Sequence, residues 1–355
     1  MISFKSIIGQ EQPISFLTIL LKKGIMPNAL LFIGPEGVGK RSTAFAFAMA
    51  ANCTNPEKEE RKNLPEFRDM NFGQEAFATE ACGNCKSCRK FNSGSHPDLI
   101  HLKPQNQITK IAQIRELRQV LAMKPFEARL RVVIIGEAHT LNPEASNALL
   151  KVLEEPPPGT IFILATAHAY DLLPTILSRC QLIRFSPIPA KLLVEALIRD
   201  HEMVQKEAEV LAAMSGGSFS KVLTLKNGDW LLFRNWIVEE IKTLNADSAS
   251  VVLALAENLT KSKGKDLVEN VLEMIKTWFR DLVMVKYSPE KIINKDLAEN
   301  IAILSEGYPI KLLMKQIAAV ENAQKQINAN ANLRLLLENF FLTLAENRPK
   351  QLQVL

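Results

Sequence analysis

Aromatic side chains are scarce, at 6% of the 355 residues, with 3 Trp and 3 Tyr among them. That excludes a dedicated platform on which successive nucleic-acid bases could stack. Cysteine is scarcer still, 5 in all, which is too few for a disulfide framework in so long a chain. No apolar run approaches the roughly 18 residues of a membrane-spanning helix, so no membrane partner is expected. The opening stretch Met1–Phe16 is broken by Lys5, Gln10, Glu11 and Pro13, unlike a secretory signal. Both features point to the cytoplasm. Charge of one sign is lacking as well: 43 Lys+Arg against 38 Asp+Glu leave +5, compatible with contact to a polyanion but not demanding it.

What is present is ordinary globular composition, 47% hydrophobic and 23% charged, which excludes wholesale disorder. The length suits two or three domains. Residues 1–187 alternate short β-rich runs with helical stretches, which predicts an α/β domain with a largely parallel sheet. Ala29–Ile33, Leu99–Leu102, Arg131–Ile135 and Thr160–Ala165 are the candidate strands, apolar enough to be buried on both faces. In Pro143–Glu154 the residues Ala145, Ala148, Leu149 and Val152 recur at helical spacing, and Pro156-Pro157-Pro158 stops the helix. Residues 188–226 read as a small helical domain of two short amphipathic stretches around Gly216-Gly217. Residues 227–355 carry almost no β signal and read as an all-α bundle: Trp230–Leu244, Ser248–Lys261, Lys265–Val285 and Pro309–Glu346 are helical, punctuated by Gly264 and Gly307-Tyr308-Pro309. The charged Glu57–Lys62 run reads as a solvated helix face or loop.

Gly34-Pro-Glu-Gly-Val-Gly-Lys40 follows one candidate strand and opens the helix Arg41–Ala51. Glycines at Gly34, Gly37 and Gly39 admit unusual backbone angles, inward N–H groups and the helix N-terminus favour phosphate, and Lys40 can reach the terminal phosphates. The full pattern places Ser or Thr directly after the lysine to hold Mg²⁺, but Arg41 stands there and Ser42 comes one residue late. At the end of the third strand, Gly136 stands where an Asp would complete the metal site, with Glu137 retained. Both metal-holding oxygens are missing, so weak nucleotide binding at most and negligible hydrolysis are expected. ATP and Mg²⁺ are doubtful ligands of this chain's own site.

Cys82-Gly-Asn-Cys85-Lys-Ser-Cys88 sets three thiolates on a tight turn, with Cys53 at the end of the preceding helix as fourth. Four sulfurs suit a closed, structural Zn²⁺ site that staples an insertion spanning about 53–96. An iron–sulfur cluster and free thiols are the competing readings, and His96 is an alternative fourth ligand. The basic residues Lys110, Arg115, Arg118, Lys124, Arg129 and Arg131 could meet DNA phosphates. Glu116 and Glu127 interrupt them, so a solvated face or a subunit contact is the simpler expectation.

In order along the chain, the phosphate loop, the cysteine insertion, Glu137-Ala-His-Thr-Leu, Asn147-Ala-Leu-Leu-Lys-Val-Leu-Glu-Glu-Pro156 and Leu177-Ser-Arg-Cys180 resemble the clamp-loader subunits of bacterial DNA polymerase III, in the AAA+ superfamily. The resemblance extends from Ile7 to the C-terminus, where Asn328-Ala-Asn-Ala-Asn-Leu-Arg-Leu335 looks like the family's collar. It implies an AAA+ P-loop domain, a helical lid and a helical oligomerisation collar. The chain would be one subunit of a hetero-oligomeric ring with gamma/tau and delta subunits that loads the sliding clamp on primed DNA. Arg179 matches the family's arginine finger, which serves a neighbouring subunit's ATP. Thr166 matches the position that orients attacking water, with a strand-end turn cap as the plainer reading, and Cys180 is a small packed residue. Where ATPase members carry an Arg after Gly217-Ser218-Phe219, this chain has Ser220 and Lys221. The departures favour a non-catalytic stator over the alternative of an active gamma/tau-like ATPase. A zinc-containing nucleic-acid-binding module is the second rival.

Overall fold

The computed structural model of the chain describes residues 3–55, 77–228, 230–244, 249–329 and 331–347; the Glu57–Lys62 run, Ser248 and Asn330 lie outside them. The four expected strands form, as β1 (Ala29–Ile33), β2 (Leu99–Leu102), β3 (Arg131–Ile135) and β4 (Thr160–Thr166), joined by a fifth, β5 (Gln181–Arg184). All pairings are parallel, in the order β2-β3-β4-β1-β5. Parallel neighbours need crossovers, which the intervening helices supply. These include α1 (Glu11–Lys23), α2 (Lys40–Ala51), α3 (Lys86–Asn92), α4 (Ile111–Leu121), α5 (Pro143–Glu154) and the short α6 (Pro174–Leu177).

Every residue of β3 and β4 is buried, as befits strands covered on both faces. Leu31, Val133, Phe162 and Leu164 pack with Ile114 and Leu117 of α4 and Ala145, Leu149 and Val152 of α5. The alternate residues Leu30, Val132, Ile134, Ile161 and Ile163 are equally buried and point the other way by the strand's period of two. β5 escaped the sequence pattern because, at the sheet edge, only Ile183 is buried, and Gln181 and Arg184 flank it in solvent.

Two compact units emerge: Met1–Leu193 with Gly217–Ser220, and Val194–Gly216 with Lys221–Leu355. The first holds a buried polar pin. The Asp98 carboxylate accepts from the backbone N–H groups of Phe126 (2.8 Å), Glu127 (2.8 Å) and Ala128 (2.9 Å) and from the Arg131 guanidinium (3.3 Å). Arg131 in turn donates to the carbonyls of Val120, Met123 and Lys124, at 3.1, 2.8 and 2.8 Å. These hydrogen bonds outweigh the cost of burial and hold the Asp98 carboxyl below its ordinary range. Arg131, grouped with the basic residues expected on a solvated face or subunit contact and able to meet DNA phosphates, is buried and fully engaged, so it leaves that candidate surface.

Between Pro189 and Gly228 there are three helices, not two: α7 (Ala190–His201), α8 (Gln205–Met214) and α9 (Phe219–Asn227). The rest of the second unit is helical, comprising α10 (Trp230–Thr243), α11 (Ala249–Tyr287), α12 (Ala298–Glu306), α13 (Ile310–Asn328) and α14 (Leu333–Glu346). Gly264, expected as punctuation, lies inside the single 39-residue helix α11. One glycine costs a helix only about 1 kcal/mol relative to alanine, and α11 recovers that by packing against α10, α12, α13 and α14. Arg234 of α10 is buried, with Nη1 donating to Asn294 Oδ1 (2.9 Å) and Nη2 to Asp296 Oδ2 (2.5 Å). No helix among the described residues is long and apolar enough to cross a membrane.

Candidate functional site

The C-terminal ends of β1, β3 and β4 lie side by side in the sheet, which brings the phosphate loop, Gly136-Glu137 and Thr166 to one edge, where α/β folds bind ligands. Glycine is obligatory at Gly34, because a Cβ there would fall 2.3 Å from the Phe185 carbonyl oxygen. At Gly37, φ is +71°, and a Cβ would collide with Ser218 Oγ. The Gly37 carbonyl accepts from the N–H groups of Phe219 (3.0 Å) and Ser220 (3.3 Å). The segment Gly217–Ser220 therefore closes directly on the loop. Gly39 precedes α2, whose first residue, Lys40, turns its ammonium onto the loop's own carbonyls, Gly34 (2.5 Å) and Pro35 (2.6 Å). Burial pulls the Lys40 ammonium down to about 8, against the opposing pull of Glu36 and with help from Arg41.

Arg41 and Gly136, the two positions without a metal-holding oxygen, lie side by side. Arg41 forms an ion pair with Glu137 (Nη1–Oε1 3.7 Å). Its stem lies beside Gly136, where a Cβ would be 3.0 Å from Arg41 Cδ and 3.3 Å from His101 Nε2. An aspartate there would meet the arginine stem before it met a cation. Burial, with Lys103 and Arg41 nearby, also keeps the His101 imidazole below its usual range. Mg²⁺ does not fit this donor set: a guanidinium faces the Glu137 carboxylate and no hydroxyl follows Lys40. The Thr166 hydroxyl donates to the His168 carbonyl and accepts from the His168 N–H, both at 3.1 Å, as a turn cap does.

Cys53, Cys82, Cys85 and Cys88 come together from the end of α2 and the start of α3, with their sulfurs within 4.8 Å of one another. Cys82 Sγ and Cys88 Sγ are 4.0 Å apart; a tetrahedron of roughly 2.3 Å Zn–S bonds has edges of about 3.8 Å. Backbone N–H groups of Cys82, Cys85 and Cys88 each donate to a cluster sulfur at 3.4 Å, which favours thiolate. Burial raises the Cys53 and Cys88 thiols; at Cys85 it is outweighed by hydrogen bonds from Thr54 and Cys88, which bring that thiol to about 6. The donor set fits a metal ion such as zinc, and a bound ion would supply structural cross-linking, with no ligand position left for water. His96 stands apart from it, stacked on Phe91 at 4.2 Å and accepting from the Asp98 N–H through Nδ1.

Arg179 follows α6. Its Nη2 is 2.7 Å from Glu154 Oε1, and Nη1 donates to the Thr175 carbonyl at 3.0 Å. Burial raises the Cys180 thiol to about 11, and its side chain packs against the core of the first unit.

A family model for the DNA polymerase III delta subunit matches residues 9–189, just over half of the chain. The chain belongs to the DNA polymerase III delta-subunit family. A second model, for the C-terminal part of that family, matches residues 229–346. Among clamp-loader relatives, subunit delta' of Bacillus subtilis is 27% identical over 95% of this chain and 96% of its own length. Subunit tau of the same bacterium is 30% identical over 94% of this chain, which spans 60% of tau. A solved gamma subunit-related protein of Thermotoga maritima is 18% identical, covering 95% of this chain and 100% of its own at a TM-score of 0.44. In this family member the first unit is an α/β domain with a parallel sheet, and the second is helical.

Proposed function

We propose that this clamp-loader subunit is of the delta-prime type, a non-catalytic stator that hydrolyses no ATP itself and supplies Arg179 to a neighbouring ATPase subunit. The observation that carries the reading is Arg41: its stem lies against Gly136 and its charge pairs with Glu137, in the place a magnesium ion needs. Phosphoryl transfer depends on that ion to neutralise charge between the phosphates, so a site that displaces it binds nucleotide weakly and turns none over. Lys40 spends its donors on the loop's own carbonyls, and Ser220 stands where ATPase members carry an arginine. Arg179 belongs to a different chemistry: a permanently charged, planar fork suits a terminal phosphate whose charge shifts in the transition state.

In this reading residues 1–187 are the AAA+ domain, 188–226 the lid and 227–355 the collar that joins a cytoplasmic hetero-oligomeric ring. The ring's other members are gamma/tau and delta subunits, and together they load the sliding clamp on primed DNA. Zinc held by the four cysteines staples the insertion. Steady-state hydrolysis of MgATP by the purified chain tests the reading. Background turnover, unchanged by Lys40→Ala, is expected; turnover abolished by that substitution would make the chain an active gamma/tau-like ATPase instead.

A further inference from the structure

We infer that Glu154 is a positioning residue for Arg179: its carboxylate holds the guanidinium in the orientation from which its remaining donors meet a neighbouring subunit's terminal phosphate. This rests on the reading of Arg179 as a residue supplied in trans. The guanidinium is held from two elements at once, by Glu154 Oε1 at 2.7 Å from the end of α5 and by the Thr175 carbonyl (3.0 Å) and Ser178 Oγ (3.4 Å) from α6 and its cap. Nη1 donates to both the Thr175 carbonyl and Ser178 Oγ, and Nη2 meets Glu154 as an ion pair. Nε takes part in none of these contacts, and with Nη2 it forms the fork edge that grips a phosphate in two places.

The carboxylate has no local reason to be where it is. Glu154 is the last residue of α5 and is followed by Glu155, so two acids stand at the negative end of a helix, where the helix dipole disfavours them. Arg179 supplies the compensating cation. The pair is also too weak to act as a catch that keeps the arginine out of use. Both side chains are substantially exposed, 35% for Arg179 and 49% for Glu154, and exposed pairs of this kind shift an equilibrium by about five-fold at most. A polyphosphate in a desolvated interface outcompetes that easily, whereas five-fold is enough to favour one rotamer of a long, flexible side chain.

The experiment uses the complex reconstituted from this chain and the clamp-loader subunits that copurify with it, assayed with MgATP, clamp and primed DNA. Arg179→Ala lowers turnover. Glu154→Ala lowers it about three-fold through kcat, Glu154→Gln, which keeps an acceptor oxygen without the charge, falls between, and neither lowers it further when Arg179 is already Ala. The melting temperature of the free chain moves by less than about 2 °C with either Glu154 variant. Full activity of Glu154→Ala where Arg179→Ala is impaired would overturn the positioning role alone. So would a Glu154→Ala loss of the same factor in the Arg179→Ala background, which marks a structural tie. An Arg179→Ala complex with wild-type turnover would overturn the underlying reading and this inference with it. If Glu154→Ala fails to fold, the comparison of Glu154→Gln in the two backgrounds decides alone.

Discussion

Two arginine–glutamate pairs on the α/β domain have the same chemistry and opposite surroundings. Arg41 pairs with Glu137 at 3.7 Å and Arg179 with Glu154 at 2.7 Å, and both pairs are well exposed. Arg41 lies along Gly136 at the end of β3, beside the phosphate loop, where the proposed reading has its stem and charge take the place of a metal. Arg179 lies on α5 and α6, with part of its fork still uncommitted. In the proposed reading, one arginine ends phosphate chemistry and the other serves it, according to what lies beside each. A third pair, Asp98–Arg131, is buried and ties the loop after α4 to β3, and it sets the scale for what such a pair contributes to stability.

The sharpest way to break this comparison is to remove one partner from each kind of pair. Asp98→Ala leaves the Arg131 charge buried and three backbone N–H groups without their acceptor, and should cost about 3–5 kcal/mol in urea unfolding. Arg41→Ala, which breaks an exposed pair, should change stability by less than about 1 kcal/mol. Equal losses would mean that Arg41 is a structural strut and that its place beside Gly136 is incidental.

A smaller effect sharpens the picture of the closed loop. Burial brings the Lys40 ammonium to about 8 in the folded chain against its ordinary 10.5, so between these values the unfolded state binds the proton and the folded state does not. Stability conferred by this residue therefore rises with pH across that window, and the penalty for burying its charge is fully present below it. Relative to Lys40→Met, the unsubstituted chain should gain on the order of 3 kcal/mol between pH 8 and the upper end of that range. Paired urea titrations would show it. A difference independent of pH would mean that hydrogen bonds to the Gly34 and Pro35 carbonyls offset the cost of burying the ammonium.

Much of this molecule was legible because its signals are local. β1, β3 and β4 are short apolar runs between breakers, α5 has helical spacing ahead of three prolines, and the phosphate loop and the Cys82–Cys88 turn carry their chemistry at fixed offsets. What escaped was non-local. Arg131 read as one more surface cation because its partner, Asp98, is 33 residues earlier. Glu154 read as a helix end because only the packing of α5 on α6 brings Arg179 to it. The departures at Arg41 and Gly136 were each visible, but their meeting in space was not: sequence showed two missing ligands, and the structure shows the Arg41 stem lying against Gly136.

The metal's place can be interrogated directly with Mn²⁺ as a paramagnetic substitute for Mg²⁺ and a non-hydrolysable ATP analogue. Added together to the purified chain, they should give only the electron paramagnetic resonance spectrum of the free Mn²⁺–nucleotide complex, and a bound signal should arise only in the Arg41→Ser/Gly136→Asp double variant. A bound Mn²⁺ signal from the unsubstituted chain that Lys40→Ala abolishes would show a working metal–nucleotide site and contradict the role assigned to Arg41.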